Sequence, residues 1–142
     1  MTTVKDVMSK DVQFQPPDAT LRDVASCMRD HDVGAVPIRD GKNGVAGLVT
    51  DRDIVLRALA DDGRDPDRTR AEEIMSSPVA SVGRDDDVKD ALSQMRQRRI
   101  RRLLVKDDHD EIVGVVSLGD LSRSDIPEKD RSEAYEGICA GC

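Results

Sequence analysis

Gly47-Leu48-Val49-Thr50-Asp51-Arg52-Asp53 decides how this chain is read, because it returns 67 positions later as Gly114-Val115-Val116-Ser117-Leu118-Gly119-Asp120. Each copy holds a glycine, a short apolar run of strand length, a hydroxyl residue, and an aspartate three places on, where a helix should begin. A strand end, a turn with free backbone N–H groups and a carboxylate are the parts from which a ribose and its phosphates can be held.

The repeat extends far beyond this stretch. At the same displacement Val4–Ile54 aligns without a gap onto Ala71–Leu121. Met8-Ser9 falls on Met75-Ser76, Met28-Arg29 on Met95-Arg96, and Asp40 on Asp107. Apolar positions agree where identities do not, as in Val33 with Ile100 and Ile38 with Val105. Within each copy the periods predict β-α-β-β-α, giving an α+β (mixed α/β) fold of two packed repeats related by a pseudo-two-fold axis. In the first copy Val4–Met8 is a lead-in and Val12–Gln15 a short strand closed by Pro16-Pro17. Asp18 or Thr20 caps a helix with Leu21, Val24, Ala25 and Met28 on one face. Val33–Ile38 and Val45–Thr50 form a hairpin around Asp40-Gly41-Lys42-Asn43-Gly44. A helix begins at Asp51, with Ile54, Val55, Ala58 and Leu59 on its apolar face. The second copy predicts a lead-in at 71–75, a strand Val79–Val82, a helix Asp87–Arg98, a hairpin of Arg101–Lys106 with Glu111–Ser117, and a helix from Leu118. The domain plan is a first motif over 4–60, a polar linker over 61–70, a second motif over 71–123 and a partly helical tail over 124–142.

Composition narrows the function. The 142 residues carry a net charge of −7, and aromatics make up 1%, being Phe14 and Tyr135 alone. The core must come from aliphatic side chains. Single-stranded nucleic-acid binding lacks its stacking platform, and a net acidic chain is a poor partner for a phosphate backbone. No apolar run reaches bilayer length and the N-terminus lacks a signal core, so the expected compartment is the cytoplasm. No Ser/His/Asp, Walker or H-E-x-x-H arrangement is present, so an enzyme is the least supported class.

These paired units, each ending in Gly-apolar-x-Thr/Ser-x-x-Asp, resemble the CBS-domain pair (Bateman module). Thr50-Asp51-Arg52-Asp53-Ile54-Val55 is similar to the end of a first CBS motif, and Ile100-Arg101-Arg102-Leu103-Leu104-Val105 to the hairpin strand of a second. The resemblance runs from Val4 to about Arg123 and implies a stand-alone CBS-pair protein of the small prokaryotic type. It implies a cleft for an adenine nucleotide (AMP, ADP, ATP) or S-adenosylmethionine as regulatory ligand, with no required cofactor. By resemblance Asp53 and Asp120 hold the ribose hydroxyls, and Thr50 and Ser117 contact phosphate. Gly34-Ala35-Val36-Pro37 matches the family's Gly-x-x-Pro, while the second copy has Arg101-Arg102-Leu103-Leu104 there. Arg101 stands where nucleotide-binding members often place a phosphate-pairing base, with Arg102 beside it, so the site of Ser117, Asp120 and Arg101 is the favoured one. Aliphatic side chains hold the base: Val12 or Val79, and Val33 or Ile100. The family also implies a homodimer through its helices and a downstream protein that reads the ligand.

Simpler readings stand beside these. Asp53 and Asp120 can be plain helix-capping residues, and Arg98, Arg99, Arg101 and Arg102 a solvated basic patch. Cys139-Ala140-Gly141-Cys142 is a C-x-x-C that suits a frayed tail, a zinc site with Cys27, His31 or His109, or a redox pair. Three function classes follow: a nucleotide sensor, a stress-related interaction protein without ligand, and a metal- or redox-responsive protein using Cys139 and Cys142.

Overall fold

The computed structural model describes residues 2–41, 44–60, 63–77 and 79–123. In chain order these form α1 (Val4–Val7), α2 (Leu21–His31), β1 (Ala35–Arg39), β2 (Val45–Thr50), α3 (Asp51–Asp53) running into a π-helical stretch (Ile54–Leu59), α4 (Ala71–Ile74), β3 (Ser81–Gly83), α5 (Val88–Arg98), β4 (Arg102–Lys106), β5 (Ile112–Ser117) and α6 (Leu118–Ser122). The mixed helix and sheet character and the doubled helix–strand unit are as the repeat predicts. The described residues sort into two packed units, 11–79 and 2–10 with 80–123. The units do not follow the repeat boundaries, because the opening helix of each repeat packs into the body of the other.

In the unit of residues 11–79, Thr20 caps α2, its hydroxyl accepting from Asp23 N at 3.1 Å while the Asp23 carboxylate accepts from Thr20 N at 3.2 Å. Leu21, Val24 and Cys27 recur at helical spacing and are buried. The helix stops at Asp32, which takes the left-handed conformation. β1 and β2 pair antiparallel, Ala35 opposite Thr50 and Ile38 opposite Gly47. The core joins Val24, Val36, Ile38, Val49, Ala58, Ala71 and Ile74. The strand expected over Val12–Gln15 shrinks to one parallel bridge, Gln15 to Ile38, because Pro16 and Pro17 follow it with no N–H to extend a ladder. Residues 63–70, read as part of the polar linker, bond to the start of α2: Leu21 N donates to Thr69 O at 2.9 Å and Arg22 N to Pro66 O at 3.1 Å. The helix after Asp51 forms, but not with the expected apolar face. Its π winding sets only Ile54 and Ala58 against the core, and leaves Val55, Leu56 and Leu59 exposed at 51%, 49% and 67%.

The second unit repeats the plan with a complete sheet. β3 runs parallel to β4, and β4 antiparallel to β5, with Arg102 opposite Ser117 and Val105 opposite Gly114. The first strand lies at Ser81–Gly83, two residues later than expected. Asp87 caps α5, whose Val88, Ala91, Leu92 and Met95 are buried. They meet Val4, Leu103, Val105, Val116 and Leu121 in one core.

Each lead-in is tied down the same way. Ser9 exchanges two backbone hydrogen bonds with Val115 (2.9 and 3.0 Å), and Ser76 exchanges two with Leu48 (2.9 and 3.0 Å). The residue beside each contact is a glycine for a steric reason. A Cβ on Gly114 would stand 2.6 Å from Met8 Sδ and 2.8 Å from Ser9 O; on Gly47 it would stand 2.5 Å from Met75 Sδ and 3.0 Å from Ser76 O. Thioethers can turn aside, but a backbone carbonyl held in a bridge cannot. Gly114→Ala should therefore cost about 1–3 kcal/mol in denaturant unfolding, and Met8→Ala should not restore it. A neutral Gly114→Ala, or full rescue by Met8→Ala, would show that the carbonyl is not the constraint.

Candidate functional site

β2 ends at Thr50, whose extended backbone (φ −109°, ψ 162°) turns the chain into α3. Its hydroxyl accepts from Asp53 N at 3.1 Å, and its own N–H donates to Asp53 Oδ2 at 2.9 Å. The same capping box closes β5: Ser117 Oγ accepts from Asp120 N at 3.1 Å and Ser117 N donates to Asp120 Oδ2 at 2.9 Å. The hydroxyl residue is thus the cap, and the aspartate its third-position partner. The residue just before β1 or β4 also holds the helix start. Asp51 N donates to Gly34 O at 3.0 Å, and Leu118 N to Arg101 O at 2.8 Å.

The box uses only one oxygen of each aspartate. The carboxylates are largely sheltered, with 13% of the Asp53 side chain and 15% of that of Asp120 exposed. Asp53 Oδ1 faces the Ser76 hydroxyl at 3.5 Å and Arg57 Nε at 3.8 Å. Asp120 Oδ1 accepts from Arg123 Nη2 at 2.7 Å. Each repeat therefore offers an acceptor oxygen next to a guanidinium, at a strand end. Such an oxygen can take a hydroxyl proton donor, and the neighbouring cation suits an anionic substituent on the same molecule.

The other candidate residues divide between the units. In 11–79, Gly34, Ala35 and Thr50 meet at the end of the β1–β2 pair, Pro37 is buried in β1 opposite Leu48, and Val12 and Val79 are half-buried. Val33 is half-buried against the aliphatic core. In the second unit Arg101 is exposed, Arg102 stands half-buried opposite Ser117, and Ile100 packs against the core. Arg101, Arg102, Ser117 and Asp120 are thus brought together, as are Gly34, Thr50 and Asp53. Arg57, Ser76 and Arg123 were not among the site residues read from the sequence, although Arg57 lies four residues after Asp53 and Arg123 three after Asp120. Cys27 is buried, and His31 and His109 are exposed. Cys139 and Cys142 lie outside the described residues, among which no group of three or more His, Cys, Asp or Glu could hold a metal. Nor, among them, is any helix long and apolar enough to cross a membrane.

The CBS-domain family model matches residues 4–59 and 71–126, the same two stretches that end in these capping boxes. The chain belongs to the CBS-domain family. Its relatives include the CBS domain-containing protein YhcV of Bacillus subtilis, 37% identical over 97% of this chain and 96% of that protein. Among solved CBS structures, Hypoxic Response Protein I with two coordinated zinc ions is 33% identical, with a TM-score of 0.72 over 89% of this chain and 100% of that one. The CBS domain pair of protein MJ0100, in complex with 5′-methylthioadenosine and S-adenosyl-L-methionine, is 29% identical, with a TM-score of 0.76 over 87% of this chain and 94% of that one.

Proposed function

We propose that this CBS pair is a regulatory sensor of an adenine nucleotide or S-adenosylmethionine, acting in the cytoplasm without catalysis of its own. The observation that carries this reading is the repeated, sheltered aspartate with one oxygen committed to a capping box and the other beside a guanidinium. A vicinal diol donates two hydroxyls to such a carboxylate, and an adenosine ligand brings that diol. The CBS pair of MJ0100, which holds two adenosine compounds, supports the ligand class.

The two sites differ in charge. Asp120 is served by Arg123, with Arg101 and Arg102 on the adjoining strand, and this copy is the better suited to a phosphate tail. Asp53 has Arg57 beside it, and Gly34 just before β1 where the second copy has Arg101. Val12 or Val79 and Val33 or Ile100 supply aliphatic surface for the base. Regulation follows if the ligand binds two arrangements of the chain with different affinity, and a downstream protein distinguishes them. Val55, Leu56 and Leu59 suit a homodimer contact through this helix, since three large apolar side chains exposed together mark an interaction face. Leu59→Glu should then yield monomers in sedimentation at concentrations where the wild type is dimeric; an unchanged mass would exclude this face.

A second reading has its own support. Cys139 and Cys142 offer two thiolates, and the 33%-identical Hypoxic Response Protein I coordinates two zinc ions. One set of titrations separates the readings. Calorimetry with AMP, ADP, ATP and S-adenosylmethionine should show binding by wild type, and at least tenfold weaker binding by Asp120→Ala. Silence for all four ligands, with zinc retained by the wild type and lost from a Cys139→Ser, Cys142→Ser variant, would replace the first reading by the second.

A further inference from the structure

One oxygen of Asp53 faces two groups that belong to, or hold, a single short segment. Ser76 Oγ lies 3.5 Å from Asp53 Oδ1, and Arg57 Nε lies 3.8 Å from it. The other end of the Arg57 guanidinium donates from Nη1 to Ile74 O at 3.2 Å and Met75 O at 3.3 Å. Carbonyls at a helix end lack partners within the helix, and an arginine there satisfies them. Met75 N is bonded to Ala71 O and Ser76 to Leu48, both at about 2.9 Å, so residues 71–76 form one small block. Arg57 is half-exposed, and an ion pair at its distance adds little stability. Its geometry is that of a connector.

From this we propose that Arg57 is a positioning residue that couples the occupancy of Asp53 Oδ1 to the order of residues 71–76. The coupling rests on the nucleotide reading for its physiological trigger. A ribose hydroxyl donating to Oδ1 displaces the Ser76 hydroxyl and satisfies the carboxylate. The guanidinium, always charged, then turns more fully to the Ile74 and Met75 carbonyls. The block 71–76 opens the second repeat and leads within a few residues into β3, so the chain itself carries the change onward. The sequence does not repeat this arginine, because the position matched to Arg57 is Ser124 and the one matched to Arg123 is Leu56. The coupling through Arg57 therefore belongs to the first repeat's aspartate, even though both repeats carry a capping-box aspartate.

Backbone amide hydrogen exchange of the full chain tests this, with AMP as probe and Val24 N–H as an internal reference from the same unit. Saturating AMP should slow exchange at Met75 and Ser76 at least about threefold in wild type. Arg57→Gln should abolish that slowing when AMP is supplied at a concentration that saturates the variant, as set by its own calorimetric titration. Slowing that persists in Arg57→Gln, or is absent from wild type with AMP bound, overturns the coupling and leaves the nucleotide reading intact. If AMP does not bind, whichever of ADP, ATP or S-adenosylmethionine does bind takes its place as probe; if none binds, the nucleotide reading falls and a ligand-free arm decides the coupling. Asp53→Asn, which removes the charge facing Arg57 Nε and keeps an oxygen there for Ser76, should slow exchange at Met75 and Ser76 in the wild-type background but not in Arg57→Gln; equal effects in both backgrounds overturn the coupling.

Discussion

The structure depends on one backbone contact made twice: a lead-in serine bridged to a strand, over a glycine that leaves it room. Ser9 lies on Val115 beside Gly114, and Ser76 lies on Leu48 beside Gly47. A single repeat of about 50 residues buries too little to be stable alone. The bridge lets each repeat lend its opening helix to the other body. Val4 is fully buried among residues of the second repeat, and Ala71 and Ile74 among those of the first. Neither unit is complete without a piece of the other repeat, so neither repeat is a self-sufficient domain.

The exchange also shapes the site. Because residues 71–76 are drawn onto β2, the Ser76 hydroxyl comes within reach of Asp53, and the end of α4 within reach of Arg57. The capping box then does two things at once. It starts the helix, and it fixes the aspartate so that one oxygen is held and the other points to a cation. The cap takes Oδ2 of each aspartate and leaves Oδ1 to neighbouring side chains, so capping does not use up the carboxylate.

Much of this was legible in the residues. Leu21, Val24 and Met28 announce α2, although Ala25, read on the same face, is exposed and Cys27 is the buried one; Val45–Thr50 is β2 to the residue, and the doubled Thr/Ser-x-x-Asp marks both boxes. The lead-in exchange was not legible. Val4 and Ile74 show by their apolarity that they need a core, but no local rule says which repeat supplies it. The π winding after Asp53 was hidden for a related reason. Ile54, Val55, Ala58 and Leu59 fit an ordinary helical face, and only packing reveals that Val55 and Leu59 stay outside. Val33 and Ile100, read as surfaces for a base, are partly spent on the core. Arg57 and Arg123 were visible at helical spacing from their aspartates, but nothing in that spacing says that Arg57 also reaches the end of α4.

The central claim is that the oxygens of Asp53 and Asp120 outside the capping boxes take the hydroxyls of a ribose diol. Competition between AMP and 2′-deoxy-AMP tests it most directly, because the two ligands share base, phosphate and charge. Loss of one buried hydroxyl partner should weaken 2′-deoxy-AMP at least about tenfold, and the difference should vanish in the Asp53→Ala, Asp120→Ala double variant. Equal affinity of wild type for the two ligands would contradict the claim.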